Sequence, residues 1–217
     1  MLNEKEIIAR RAALQLRDGD VVNLGIGLPS MIPDYLPIGI KVIIQSENGL
    51  LNIGASPEPG EENPRLLNAS GKPTTILPGG CCFDSSISFG IIRGGHVQAT
   101  VLGALEVDEE GNLANWAIPG KLFIGMGGAM DLVVGAKEVI VAMLHTQQGK
   151  PKIVKRCSLP LTAKKQVNKI ITEMAFIEVT GDGLILKEIA PNVTVDDVVN
   201  ATDARLIISK NIGRFFS

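Results

Sequence analysis

Short apolar runs alternate along the chain with segments whose apolar residues recur at helical spacing. A helix is predicted over residues 4–17, and Asn3 stands where its N-cap belongs. A strand is predicted at Val21–Leu24. Val42–Ile44 is an unbroken run of β-branched residues, which is typical of a strand buried on both faces of a parallel sheet. Strands that alternate with helices predict an α/β fold with a largely parallel sheet covered by helices.

The rest of the chain continues this alternation without an internal repeat, a low-complexity linker or a domain boundary. We therefore expect a single domain over residues 1–217. Residues 55–72 form a polar, turn-rich stretch that predicts an exposed loop. Further strands are predicted at 74–77, 99–107 with a break at Gly103, 139–143, 152–156, 176–179, 184–186 and 206–208, and further helices at 30–36, 85–92, 162–172 and 194–200.

The predicted strand at Val42–Ile44 changes within one residue to the polar segment Gln45–Gly49. Glu47 then lies at the carboxyl end of a buried strand, which is where open α/β sheets bind ligands. A glutamate is almost never fully buried unless its charge is compensated. Two interpretations stay open on these residues alone, a polar turn that closes a strand and a functional carboxylate.

Two glycine-rich loops interrupt the predicted elements. Gly25–Pro29 follows a strand, and such a loop can present backbone N–H groups to an anion. It is not the dinucleotide fingerprint, because Ser30 occupies the third glycine position. Gly125–Asp131 is the second loop, and it can direct N–H groups at a developing oxyanion. Tight turns without any ligand are the alternative for both loops.

Composition narrows the class of protein. Of the 217 residues 45% are hydrophobic and only 4% aromatic, so the core is built from Ile, Val, Leu and Ala. A net charge of −2 gives no electrostatic footprint for nucleic acid. No stretch reaches the roughly 20 apolar residues of a membrane helix, and the N-terminus has no apolar core of signal-peptide length. We expect a cytoplasmic protein that binds neither nucleic acid nor membrane.

Other reactive side chains compete only weakly with Glu47. The cysteines at 81, 82 and 157 have no metal-ligand spacing, so we expect neither a zinc site nor a disulfide, and adjacent Cys81 and Cys82 are expected to pack as small apolar groups. His96 and His145 lack a Ser, Cys or Asp at triad-like spacing. Glu106 ends a predicted strand and remains a rival nucleophile.

Several motifs resemble class I coenzyme A transferases of the 3-oxoacid type, specifically their β subunit. The most specific is Gln45-Ser-Glu-Asn-Gly-Leu-Leu51, which directly follows an apolar strand as it does in that family. The likeness covers nearly the whole chain. The other matching stretches are Val22–Pro29, Ile92–His96, Asn112–Trp116, Pro119–Lys121 and Gly125–Asp131.

The resemblance implies a coenzyme A transferase (NagB/RpiA-like) fold and a set of site residues. Glu47 would be the nucleophile, and Gly128 would supply a backbone donor to the oxyanion. Lys72 would lie near the coenzyme, although the stretch Asn68–Lys72 is one residue longer than the family pattern. The residues expected to bind substrate or CoA are Asn23, Gly25, Gly27, Gln45, Lys72 and Asn115.

The resemblance also implies the reaction and the partner. CoA would move between an acyl-CoA and a free carboxylic acid, such as acetoacetate with succinyl-, acetyl- or butyryl-CoA, with CoA as substrate and with no metal or other cofactor. A separate α subunit would complete a heterodimer or heterotetramer. Two alternatives remain, an acyl-CoA hydrolase or isomerase on the same fold and a non-catalytic metabolite-binding module.

Overall fold

The computed structural model describes residues 3–216. Within that range the chain forms four α-helices and one 3-10 helix. Asn3 caps the first helix through a capping box, in which its side chain accepts from the Glu6 N–H and the Glu6 carboxylate accepts from the Asn3 N–H. The helices are α1 Glu4–Ala13, the 3-10 helix Leu28–Tyr35, α2 Ser85–Arg93, α3 Ala129–Gly135 and α4 Val195–Asn200.

The strands are short, and most belong to one sheet. In chain order they are β1 Val21–Leu24, β2 Ile43–Ser46, β3 Leu50–Ile53, β4 Ile76–Cys82, β5 Ala99–Leu102, β6 Glu106–Asp108, β7 Leu113–Ala114, β8 Ala117–Ile118, β9 Leu122–Phe123, β10 Glu138–Ala142, β11 Thr146–Gln147, β12 Lys150–Pro151, β13 Ile153–Val154, β14 Lys169–Ile171, β15 Ala175–Thr180, β16 Gly183–Ile189 and β17 Leu206–Arg214.

The main sheet has ten strands in the order β17-β16-β15-β14-β10-β5-β1-β2-β3-β4. Its centre, β14-β10-β5-β1-β2, is parallel throughout. Antiparallel pairs flank it, from β14 to β16 on one side and from β2 to β4 on the other. The predicted α/β fold with a largely parallel sheet is confirmed.

Helices cover both faces of the sheet near its centre. Val22 on β1 packs in one apolar cluster with Ile8 and other residues of α1. Its neighbour Val21 packs in another, with Ile92 of α2 and Leu132 of α3. Because successive side chains of a strand point to opposite faces, α1 lies on one face and α2 with α3 on the other.

Two predicted elements are wrong. Residues 162–168 are irregular and lead into β14, where a helix was expected over 162–172. Lys165 has a φ of 55°, which no α-helix contains, and the edges of β10 and β15 pair with β14 instead. The strand predicted to end at Leu77 runs on through Pro78 to Cys82, because β4 is an outer strand where proline is tolerated.

The exposure of β2 and β4 also differs from expectation. Ile43 and Ile44 on β2 are only half-buried, although the strand was expected to be buried on both faces. Cys81 and Cys82 on β4 are both exposed, where apolar packing was expected. This side of the sheet therefore presents apolar surface that the described part of the chain leaves uncovered.

Candidate active site

The carboxyl ends of three parallel strands meet at one edge of the sheet. Asn23 on β1 is in register with Gln45 on β2 and with Thr100 on β5. Gly25 and Glu47 each follow two residues later, just beyond the ends of their strands. The parallel register therefore brings the first glycine loop and Glu47 to the same edge, where ligands bind in sheets of this type.

A tight hairpin turn fixes the backbone at Glu47. Strand β2 turns directly into antiparallel β3 through residues 47–49. Gly49 closes the turn, and its N–H donates to the Ser46 carbonyl over 3.0 Å. Its φ is 118°, and a Cβ there would collide with the carbonyl of Phe83. Only glycine fits this position, so the Asn-Gly turn that was one interpretation of this segment is present, and it places the candidate carboxylate of Glu47 within it.

The half-buried carboxylate of Glu47 meets a neutral donor. The Asn23 Nδ2 lies 3.3 Å from the Glu47 Oε2. No lysine or arginine within residues 3–216 forms an ion pair with Glu47. The carboxylate is thus oriented by a hydrogen bond without a cationic partner, which leaves an oxygen that can act as a nucleophile.

The Asn23 side chain is itself fixed by hydrogen bonds to Gln45. Its Nδ2 also donates to the Gln45 Oε1 over 2.8 Å and to the Gln45 backbone carbonyl over 3.2 Å, and the Gln45 Nε2 donates to the Ser88 Oγ of α2 over 2.9 Å. Asn23 and Gln45 are each 1% exposed, and Ser88 is fully buried. Gln45 was expected to bind substrate or CoA. In this chain both ends of its amide are engaged by neighbouring side chains.

Gly128 packs directly against Glu47. A Cβ built on Gly128 would stand 3.0 Å from the Glu47 Cγ and 3.3 Å from the Phe89 ring. The backbone of Gly128, with φ −84° and ψ 4°, is open to any residue. The contact with Glu47, and not a backbone requirement, therefore favours glycine here. The two residues predicted to be catalytic are brought together, and the role of the Gly128 N–H as an oxyanion donor stays a prediction.

The two glycines of the first loop differ in what they offer. The Gly25 N–H donates to the Val101 carbonyl over 2.8 Å, so this N–H is not available to an anion. A Cβ on Gly25 would stand 3.2 Å from the same oxygen, which indicates that glycine allows β1 and β5 to approach closely here. Gly27 is exposed with a φ of 85°, and it precedes the 3-10 helix. Binding of substrate by either glycine stays a prediction.

Asn115 lies beyond the carboxyl end of β5. Its Nδ2 donates to the Gly103 carbonyl over 3.2 Å, and its Oδ1 accepts from the Thr162 hydroxyl over 2.6 Å. These two contacts fix the amide plane while the side chain stays half-buried. Its predicted contact with substrate or CoA is untested.

The loop that carries Lys72 flanks Glu47. The Ser46 Oγ accepts from the Ala69 N–H over 2.9 Å, and the Asn48 Nδ2 donates to the Leu67 carbonyl over 2.7 Å. Both residues adjacent to Glu47 therefore anchor this loop. Lys72 is exposed on this loop, and its expected place near the coenzyme stays a prediction.

The rival groups have structural partners or lie on the surface. Glu106 accepts from the Ser158 N–H, the Ser158 hydroxyl and the Leu159 N–H over 2.7, 2.8 and 3.1 Å, so its carboxylate clamps a loop. His145 is fully buried between two threonine hydroxyls. His96 is exposed after α2.

Sequence reasoning missed Ser88. The available signal was its position in α2, four residues before the core residue Ile92 and hence on the same inner face of the helix. A polar residue on a buried helix face needs a partner, and here the partner is Gln45.

Two further properties bear on function. No helix between residues 3 and 216 has the length and apolar character needed to cross a membrane. In the same range, no group of three or more His, Cys, Asp or Glu side chains is arranged to hold a metal ion.

Comparison with known proteins gives consistent matches. A sequence profile of the family described as Coenzyme A transferase matches residues 5–201. The beta chain of the acetate CoA-transferase of Haemophilus influenzae is 52% identical over 96% of this chain and 93% of its own length. The B-type chain of the succinyl-CoA:3-ketoacid coenzyme A transferase of Helicobacter pylori is 47% identical over 92% of this chain and 97% of its own length.

Solved structures share the fold. The acyl-CoA transferase apoenzyme of Escherichia coli O157:H7 superposes with a TM-score of 0.78 at 24% identity. The match covers 99% of this chain but only 44% of that longer chain. This chain therefore corresponds in fold to less than half of the longer protein.

Proposed function

Because the chain belongs to the coenzyme A transferase family, we propose that it is the subunit that carries the nucleophile of a class I CoA-transferase, and that this nucleophile is Glu47. The observation that carries the proposal is the half-buried Glu47 carboxylate, oriented by Asn23 at 3.3 Å and packed against Gly128. It lies at the carboxyl edge of the parallel strands, and it has no cationic partner within the described residues.

The proposed reaction uses covalent catalysis by a carboxylate. A Glu47 oxygen attacks the thioester carbonyl of acyl-CoA, the C–S bond breaks, and CoA leaves as its thiolate. The product is a mixed anhydride of the acyl group and Glu47. The thiolate then attacks the glutamyl carbonyl, and the acyl group leaves as a carboxylate. Glu47 now carries CoA as a thioester, and a second carboxylate reverses both steps and leaves as the new acyl-CoA.

The residues around Glu47 have defined roles in this scheme. Asn23 holds one carboxylate oxygen, so the other is directed towards the substrate. Because Gly128 has no side chain, there is room beside it for the side chain of Glu47. Each tetrahedral intermediate carries an oxyanion, and loss of one donor to such an oxyanion costs on the order of 10²-fold in rate or more. We assign that donor to the Gly128 N–H.

We also propose that a separate α-type chain completes the site. Relatives of matching length are named as the beta or B-type component of their enzymes, which implies a second component. Large apolar side chains on the first glycine loop and just before the second support this partner, since Ile26 is 68% exposed, Phe123 76% and Ile124 60%. Exposed apolar surface of this kind marks sites of association. We expect a heterodimer or a heterotetramer.

The proposed acid substrate is a 3-oxoacid such as acetoacetate, with succinyl-, acetyl- or butyryl-CoA as donor. Acetate is the second candidate for the acid, because a relative at 52% identity is named an acetate CoA-transferase and one at 47% a 3-ketoacid transferase. One methylene of acyl length changes binding by only about 1–3 kcal/mol. Differences of that size are set by pocket residues on both chains of the complex.

A panel of acyl-CoA donors and carboxylic acids, given to the complex of both chains, tests this function. The proposal predicts that CoA appears on the added acid and that the kinetics are ping-pong. Release of free CoA without transfer would assign a hydrolase instead. Binding of acyl-CoA without either reaction would assign a binding module.

A further inference from the structure

Ser88 on α2 is the far end of a hydrogen-bonded series that reaches the Glu47 carboxylate. The series runs from the Ser88 Oγ to Gln45 over 2.9 Å, from Gln45 to Asn23 over 2.8 Å, and from Asn23 to Glu47 over 3.3 Å. We infer that Ser88 is a positioning residue for Glu47, acting through Gln45 and Asn23. This inference rests on the proposed role of Glu47 as nucleophile.

The direction of each hydrogen bond follows from the charge of the carboxylate. An ionised Glu47 only accepts, so Asn23 presents its nitrogen to it. That same nitrogen faces Gln45, where the backbone carbonyl at 3.2 Å and the side-chain oxygen at 2.8 Å both accept from it, so Gln45 turns its oxygen towards Asn23. The Gln45 nitrogen then faces Ser88, whose hydroxyl oxygen accepts. One amide flip anywhere in the series would place two donors or two acceptors face to face.

Burial prevents water from replacing Ser88. Ser88 is 0% exposed, and Gln45 and Asn23 are each 1% exposed. If the Ser88 hydroxyl is removed, nothing on α2 fixes the Gln45 amide in this orientation. Asn23 then keeps the Gln45 backbone carbonyl at 3.2 Å but loses the fixed position of its shorter partner, the Gln45 Oε1 at 2.8 Å, and its nitrogen is no longer held in one place for the Glu47 oxygen. A misplacement of about 1 Å in a reacting group costs about 10²-fold in rate.

Thr100 supplies a matched control on the neighbouring strand. It is in register with Asn23, is 0% exposed, and its Oγ has no hydrogen-bond partner within residues 3–216. Thr100→Val therefore removes a buried hydroxyl next to Asn23 without breaking the series. If any buried hydroxyl here served only packing, Ser88→Ala and Thr100→Val would have similar effects.

The test measures how fast CoA becomes attached to Glu47 in the complex of both chains. Acyl-CoA is added without acceptor acid, the reaction is quenched at intervals, and the labelled peptide is quantified by mass spectrometry. Ser88→Ala is expected to slow attachment by ~10- to 100-fold and to lower kcat equally, with KM for acyl-CoA close to the wild-type value. Ser88→Thr, which retains the hydroxyl, and Thr100→Val are expected to attach CoA at close to the wild-type rate.

Each outcome of this experiment either supports or overturns the role of Ser88 as a positioning residue. Attachment at the wild-type rate in Ser88→Ala overturns the inference, as does an equal loss in Thr100→Val or no recovery in Ser88→Thr. If Ser88→Ala does not assemble with its partner, Ser88→Cys replaces it, because a thiol is a similar size but a weak acceptor. A wild-type rate in Ser88→Cys then overturns the inference. Absence of CoA on Glu47 in the wild-type complex would instead refute the proposed function itself.

Discussion

Gly128 and Glu47 approach so closely that a single methyl group on Gly128 would stand 3.0 Å from the Glu47 Cγ. The two residues are 81 positions apart in sequence (128 − 47). Gly128 belongs to the second glycine loop and Glu47 is the carboxylate at the end of a predicted strand, and both were predicted to take part in catalysis. This contact explains why glycine is favoured at position 128, because the backbone angles there are open to any residue.

Gly128→Ala is therefore expected to displace the Glu47 side chain without unfolding the protein. A shift of the carboxylate by a few tenths of an ångström up to 1 Å is expected to lower kcat by ~10- to 100-fold. Steady-state kinetics of the two-chain complex measure it. The control is Gly90→Ala, at an exposed position in α2 where a Cβ meets no atom within 4 Å. Equal activity in both variants would contradict the account.

Asn23→Asp keeps the shape of the side chain but replaces the donor by a second negative oxygen beside Glu47. The loss of a hydrogen bond to a charged group is worth about 1.5–3 kcal/mol, which corresponds to roughly 10- to 100-fold in rate. We expect turnover to fall by at least that factor. Asn63→Asp, in an exposed loop, adds the same charge away from the site and is expected to keep wild-type turnover.

Activity is expected to require the second chain. Ile26 is exposed within the first glycine loop, and Phe123 and Ile124 are exposed just before the second. A neighbouring protein chain would cover them. The lone chain should therefore show no transfer, and co-expression with an α-type chain should restore it. Size-exclusion chromatography with light scattering measures the assembly in parallel. Full activity of the lone chain would refute the need for a partner.

His145 makes stability depend on pH. Its ring lies between the hydroxyls of Thr172 and Thr202, at 2.9 and 2.8 Å. The Thr202 hydroxyl donates to the Val198 carbonyl over 2.7 Å, so it accepts from the His145 Nε2–H. Both ring nitrogens are paired, and burial lowers the pKa of His145 from 6.5 to about 4, so the ring is neutral at pH 7.

The direction in which pH changes the stability follows from the number of protons that the folded and unfolded chains bind. Between about pH 6.5 and pH 4 the unfolded chain binds a proton at His145 and the folded chain does not, so the free energy of unfolding falls as the pH falls. The shift corresponds to ~3 kcal/mol. Burial raises the pKa of nearby Glu173, which acts in the opposite direction. His145→Phe keeps a ring that does not titrate, so urea unfolding of both proteins at pH 7 and pH 4 isolates the histidine. Identical pH dependence would contradict this account.

The sequence predicted the fold and the location of Glu47 well, because both depend on local patterns. The Asn3 cap and the strand that ends just before Glu47 are each encoded by neighbouring residues. Residues 162–172 were assigned wrongly, because their strand is stabilised by pairing with β10 and β15, from distant parts of the chain.

Side-chain partners were harder to predict than elements. The contact between Gln45 and Ser88 joins residues 43 positions apart, and only the packing of α2 on the sheet brings them together. The same is true of Glu106, whose partners Ser158 and Leu159 lie more than 50 positions away. Glu106 was expected to end a strand, but it begins β6. A glutamate that clamps a loop and one that lies at an open sheet edge look alike in sequence.

The most direct test of the account is the identity of the residue that carries CoA. The complex of both chains is incubated with acyl-CoA in the absence of an acceptor acid, digested and analysed by mass spectrometry, with Glu47→Gln and Glu106→Gln as matched variants. The account predicts the added mass of CoA on the peptide that contains Glu47, in the wild type and in Glu106→Gln, and no added mass in Glu47→Gln. Borohydride should reduce the thioester and inactivate the wild-type enzyme. Label on Glu106, or near-normal turnover in Glu47→Gln, would contradict the assignment of Glu47 as the nucleophile.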